Sequence, residues 1–440
     1  MADLADIDLT DLDRFAGGFP HDVFTRLRKH APVFFQQPTG HTPGGEGFWS
    51  LTRYRDIVAA AADAQTFSSH TGGEREGGGT ILEDLPSGFA AGVLLNMMDD
   101  PRHRELRKLV TPQVSPRSLA RMEMELAARA DAIFDSLASG GNETTCDFLR
   151  EVAAELPLQA IASLLGVPQA DRHKLIAWAD ATLDYDDRNL GEQSVKAQAA
   201  TVEMFAYGSE LIAHKRCEPG DDMLSAVVHG RLRRDTPTPG ANGDAPTPGA
   251  NSDTQTPGAN DDTPTELEAQ MFFNLLIAAG SETTRNSIAV GLLALIENPE
   301  EWRRLAAEPA LMPRAIEEML RWASSTTYNR RTATRETTID GHAIRAGDKV
   351  VLWWSSANRD EAVFAEPFRF DVGRDPNPHL AFGHGGHFCL GAALARLEMR
   401  LVFERLLARF AAAELAGPVV WTRSNKHAGV RHMPVVLAKR

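Results

Sequence analysis

The sequence predicts a mainly α fold with small β-sheets. Three observations carry this. Helical periodicity, punctuated by Pro157, Gly166-Val167-Pro168 and Pro219-Gly220, runs from Asp100 to about Leu232. A long apolar helix is expected from about Thr265 to Glu297. Strand-like segments are short and scattered, as at Arg331 to Ile339 and Lys349 to Trp354.

With 440 residues, 43% of them hydrophobic, the chain can bury a large core without disulfides, and residues 1–440 read as a single domain. The three cysteines, Cys146, Cys217 and Cys389, are far apart and odd in number. A disulfide framework is therefore not expected and a reducing, cytoplasmic location is. The first residues, MADLADIDLTDLDRF, lack the basic-then-apolar pattern of a secretory signal or membrane anchor. A formal net charge of −14 repels nucleic acid, so a small molecule or a protein is the expected partner.

Along the chain, Phe48 to Ile57 (FWSLTRYRDI) reads as a strand turning into a helix. Thr71 to Thr80 is glycine-rich but lacks the terminal Lys-Ser or Lys-Thr of a phosphate loop, so a mobile loop is expected. Residues 235–264 hold a tandem repeat of nine-residue period (PTPGANGDA, PTPGANSDT, QTPGANDDT). The repeats contain no large apolar residue to bury, so the insert is expected to be disordered. The following apolar stretch, Met271 to Ile296, is interrupted by Glu282, Thr283, Thr284 and Arg285. Charges at its centre argue for a helix buried in protein and against a bilayer span. Further helices are expected at Pro313 to Trp322 and from near Cys389 to about Phe410.

The most informative stretch is Phe382 to Gly391, FGHGGHFCLG. Its glycines make a tight loop that delivers Cys389 to the head of the last helix, where backbone N–H groups favour a thiolate. Gly391 leaves room for a flat macrocycle against the backbone. A zinc reading competes, because His379, His384 and His387 cluster with Cys389, but a second cysteine is missing. The pattern of Phe382, the intervening glycines, Cys389 and Gly391 resembles the signature of the cytochrome P-450 family. That resemblance implies a haem b held between the long central helix and the Cys389 loop, with Cys389 as the iron's axial ligand.

Three other segments match the family. Glu318 and Arg321 resemble its Glu-x-x-Arg pair, with Arg369 at the position of the third, structural partner. His103 and Arg107, four apart in DPRHRELR, together with Arg331 and His387, stand where the family grips the haem propionates. Ala279-Gly280-Ser281-Glu282-Thr283-Thr284 resembles the family's oxygen-activating motif. Ala279 and Gly280 would leave space for dioxygen, Thr283 would hydrogen-bond it, and Glu282 would relay protons.

The resemblance thus implies a monooxygenase that inserts one oxygen atom of O2 into a small lipophilic substrate. It is closest to bacterial members that oxidise steroids, terpenoids and branched lipids with electrons from a ferredoxin and ferredoxin reductase. Basic residues Arg102, Arg104, Lys108, Arg396 and Arg400 form the expected ferredoxin-docking face. Thr326, Thr327, Lys426 and His427 are polar where the pocket is commonly apolar, which suggests a polar or anionic group on the substrate. The alternative from another class is a non-catalytic haem protein that senses gas or carries electrons.

Overall fold

The computed structural model describes residues 4, 6–71, 75–139, 141–183, 188–192, 194–232 and 263–440. The insert expected to be disordered lies almost wholly outside them, as do residues 72–74 of the glycine-rich segment.

Helices dominate: α1 (His21–His30), α2 (Tyr54–Ala62), α3 (Arg102–Val110), α4 (Pro116–Ala138), α5 (Glu155–Leu165), α6 (Arg172–Leu183), α7 (Val195–Cys217), α8 (Met223–Val228), α9 (Glu266–Glu297), α10 (Pro299–Ala307), α11 (Met312–Ala323), α12 (Trp354–Ala357) and α13 (Ala392–Arg409). Their starts follow the sequence. The side chain of Ser115 caps α4 and that of Ser194 caps α7. At α9 a full capping box forms, with Thr265 accepting from the Glu268 N–H and Glu268 accepting from that of Thr265. Gly166, at φ +66°, closes α5 in the left-handed conformation that glycine adopts most cheaply.

The 32-residue helix α9 is the axis of the core. It is packed by α5, α6, α7, α8 and α11, so it is apolar nearly all round and has no single solvent face. The polar group at its middle, Ser281 to Ser287, is mostly buried with it.

A five-stranded sheet flanks this helical body. Its order is Val33–Gln36, Phe48–Leu51, Lys349–Trp353, Tyr328–Ala333 and Phe67–Ser68, with one parallel pairing between the second and third. A second sheet joins Phe410–Leu415, Pro434–Lys439 and Glu143–Asp147. The single strand expected over Arg331 to Ile339 is divided into Tyr328–Ala333 and Thr337–Ile339. Thr334 breaks it by donating its N–H and its hydroxyl to the carbonyls of Thr66 and Gln65.

Candidate active site

The loop before α13 is shaped by Gly383 and Gly385, at φ +71° and +74°. A Cβ on Gly385 would lie 2.4 Å from the Ala61 carbonyl oxygen, so only glycine lets the loop close on α2. Cys389 donates its N–H to the Phe382 carbonyl at 2.9 Å, which closes the loop on itself. The helix proper starts at Ala392, three residues beyond the cysteine, and the Gly391 N–H reaches the sulfur. Burial pushes the Cys389 thiol up, while that N–H and the charges of Arg107 and Arg396 pull it down. A coordinated metal ion reverses such a balance, because a ligating thiol is deprotonated outright.

The loop is stapled to α11. Arg396 packs its guanidinium over Phe382, 4.6 Å from the ring centre, and donates to Glu317 at 2.6 and 2.8 Å. Glu317 also pairs with the His379 ring at 3.0 Å. Burial works to raise the Glu317 carboxyl, but these partners bring it from 4.5 to about 2.

Beside the cysteine four nitrogenous side chains converge from three segments. The His103 and His387 rings lie 4.0 Å apart, centre to centre. His387 is held down to about 2 by burial first and then by Arg331, His103 and Arg107. Arg331 is fully enclosed and lowered to about 10 by burial; it donates to the Arg330 carbonyl at 2.9 Å. Burial also lowers Arg107. Among the described residues, neither arginine forms an ion pair with a carboxylate. An enclosed arginine without a counter-ion, as Arg331 is, is costly, and with half-buried Arg107 beside it the pair suits a ligand that brings its own carboxylates.

Glu318 and Arg321 are completely buried and bond bidentately, both contacts at 2.7 Å. Their third partner is a correction to the expectation. Arg369 points outward and pairs with exposed Glu366. Arg374 turns inward instead and donates to both Glu318 oxygens at 3.1 Å. Arg369 contributes only its carbonyl, which accepts from Arg374 at 2.8 Å. The sequence FRFDVGR offers two arginines five apart, and its spacing alone does not say which turns inward.

Across the site, α9 presents Ala279, which is exposed between mostly buried turns of the helix. The Thr283 hydroxyl donates to the Ala279 carbonyl at 2.8 Å, leaving its oxygen lone pairs available. Glu282 is buried, with one carboxylate oxygen 3.7 Å from Nδ1 of His427. Gly280 is a second correction. A Cβ there would strike Ile161 of α5 at 2.0 Å, so helix packing by itself requires the glycine.

The comparisons with known proteins agree with this arrangement. The cytochrome P450 family model matches residues 251–434. A protein of Mycobacterium tuberculosis named as cytochrome P450 126 is 47% identical over 437 residues, covering 99% of this chain and 98% of its own. The chain belongs to the cytochrome P450 family. The methyl-branched lipid omega-hydroxylase of Mycobacterium bovis is 36% identical over 412 residues, 92% of this chain and 88% of that one. The Mycobacterium marinum cytochrome P450 CYP268A2, solved in complex with pseudoionone, superposes with a TM-score of 0.82 at 32% identity over 98% of both chains. This cytochrome P450 is a monooxygenase with haem b as its cofactor.

The residues at hand fit that group. A sulfur ligand, a helix face reduced to Ala279, and two arginines without carboxylate partners beside the His103 and His387 rings match the iron, one ring face and the propionates of haem. At Gly391 a Cβ would meet only the Cys389 sulfur, at 4.0 Å, so the glycine is not required by packing within the protein itself.

The expected polar pocket residues are placed differently. Lys426 is a third correction: its ammonium is buried between the carbonyl of Tyr328 (2.5 Å), the Asn329 side chain (2.6 Å) and the Thr80 carbonyl (3.4 Å). It ties the loop 75–84 to the sheet and is not offered to a ligand. Thr327 is fully buried, its hydroxyl bonded to the Asn425 carbonyl. Thr326 is partly exposed and bridges to His427. On the expected docking face, Arg102 pairs with Glu268, Lys108 with Glu105, Arg396 with Glu317 and Arg400 with Glu123. Among the described residues, no helix is long and apolar enough to cross a membrane.

Proposed function

We propose that this cytochrome P450 holds haem through Cys389 and grips its propionates with His103, Arg107, Arg331 and His387. On this reading it oxidises a lipophilic substrate with protons passed along Glu282 and Thr283. The observation that carries the proposal is a pair of arginines without carboxylate partners beside the cysteine loop, Arg331 enclosed and Arg107 half-buried. Bound haem supplies dioxygen activation, its thiolate ligand pushing electron density that favours O–O cleavage. The protein's own work is to orient and to move protons. Phe382 and Arg396 brace the loop, Ala279 keeps the opposite face open, and Glu282 stands next to Thr283 in sequence on the buried side of α9.

Relatives whose names specify a methyl-branched lipid and a structure bound to pseudoionone support a lipophilic substrate class. The case for an added anionic group weakens, because Lys426 is committed to the sheet. A ferredoxin and its reductase remain the proposed electron source. Their docking would have to compete with the acidic partners of the basic face.

The test is a spectral screen of the haem-loaded protein for compounds that displace iron-bound water and shift the spin state. It should include a branched fatty acid and its methyl ester. Binding by both, followed by oxygen insertion with ferredoxin and reductase, is expected. Binding confined to small hydrophilic compounds would overturn the substrate class, and absence of turnover with any ferredoxin would overturn the partner.

A further inference from the structure

The buried surroundings of Glu282 include one group that the proposed proton route does not explain. His427 sits at the tip of the C-terminal hairpin, between Trp421 and Val430, and its Nδ1 is 3.7 Å from a Glu282 carboxylate oxygen. Nδ1 is buried and makes no hydrogen bond, while 13% of the side chain stays accessible. A buried ring nitrogen without a partner is uncommon, and a small rotation would bring these two atoms to bonding distance. The hairpin has little other freedom at this point. The Thr326–His427 bridge pins it to the chain after α11, and a Cβ on Gly429 would lie 2.2 Å from the Asn286 side chain.

We infer that His427 is a positioning residue for Glu282: as a neutral ring it donates Nδ1–H to the carboxylate and fixes where that carboxylate points. The inference rests on the reading of Glu282 and Thr283 as a proton route.

The electrostatics agree with a neutral ring. Burial, then Lys426, then Arg285 hold His427 down to about 3, so it carries no charge near neutral pH and one ring nitrogen remains a donor. Glu282 also has a wet side. A cavity of about 200 Å³ is lined by Glu282, Asp180, Arg285, Lys196, Arg431 and Thr422 among others, and Arg285 pairs with Asp180 at 2.9 Å across it. A polar cavity of that size holds several waters, which can return protons to Glu282. His427 therefore keeps the carboxylate from turning wholly toward that water and away from Thr283. It transfers no proton itself.

The experiment is ¹⁵N NMR of the imidazole rings in the reduced, CO-bound holoprotein, which is diamagnetic, in wild type and in Glu282→Leu. The expected result is a neutral Nδ1–H tautomer for His427 from pH 8 to pH 5, reverting mainly to the Nε2–H form in Glu282→Leu. A charged ring, an Nε2–H ring in wild type, or a tautomer indifferent to Glu282→Leu would overturn the proposal. A compound found by the spin-state screen then allows a second reading, the share of consumed electrons that appear in product. His427→Leu should lower that share at least threefold. His427→Asn, which keeps a donor near the Nδ1 position, should restore most of it, and equal loss in both would count against positioning. If Glu282→Gln leaves the share unchanged, the proton route itself falls, whatever the tautomer of His427.

Discussion

Replacing Arg374 by methionine tests which arginine completes the buried Glu318–Arg321 pair. Glu318 has no exposed surface and accepts from Arg321 twice, from Arg374, from the Asn377 side chain at 3.2 Å and from the Asp371 N–H at 3.1 Å. Removing Arg374 deletes its charge-assisted contact to a carboxylate that keeps its other partners, a loss of about 1.5–3 kcal/mol, and also its bonds to the carbonyls of Ala365, Glu366 and Arg369, so the total loss is at least that large. Glu318→Gln goes further, since it leaves Arg321 and Arg374 buried without their counter-charge and should cost roughly 3–5 kcal/mol. Arg369→Met touches only an exposed pair with Glu366 and should leave stability unchanged within error. Urea unfolding followed by far-UV circular dichroism, with all three variants at one pH, gives the order directly. Equal losses for Arg369→Met and Arg374→Met, or a loss only in the former, would refute the assignment.

Three more outcomes follow from the site. Arg331→Met removes an enclosed charge that has no carboxylate partner, so the cofactor-free protein should be as stable or more stable while haem affinity falls at least tenfold; loss of fold would contradict this. Gly280→Ala should destabilise by about 1–3 kcal/mol through overlap with Ile161, and Ile161→Ala should recover part of that, whereas Gly391→Ala should spare the fold and impair haem incorporation. Glu317 is lowered from 4.5 to about 2 by Arg396 and His379, so its stabilisation is complete above pH 4.5 and is lost as pH falls toward 2. That contribution is about 3 kcal/mol at most. Glu317→Gln should flatten the stability profile over this acid range, and an unchanged profile would exclude the staple.

Much of the fold was legible because its signals are local. The Pro and Gly punctuation between helices, the apolar run of α9 and the glycines around Cys389 each dictate backbone conformation within a few residues. The cysteine loop was legible for the same reason. What could not be read were choices made by tertiary packing. Gly280 looks like space for a ligand until Ile161, from a helix 119 positions earlier, is seen to fill it. Lys426 looks like a pocket cation until the carbonyls of Thr80 and Tyr328 surround it. Arg369 and Arg374 differ only in which way a turn directs them. The sheet joining Glu143–Asp147 to Pro434–Lys439 was missed because its segments are short, partly exposed and nearly 300 residues apart, so no local alternation marks them.

The central claim is that Cys389 supplies the iron's thiolate ligand. It is tested most directly by the absorption spectrum of the reduced CO complex in wild type, Cys389→Ser and Cys217→Ser. A red-shifted Soret band is expected in wild type and in Cys217→Ser, and its loss in Cys389→Ser. A red-shifted band that survives Cys389→Ser, or that is absent from the haem-loaded wild type, would contradict it.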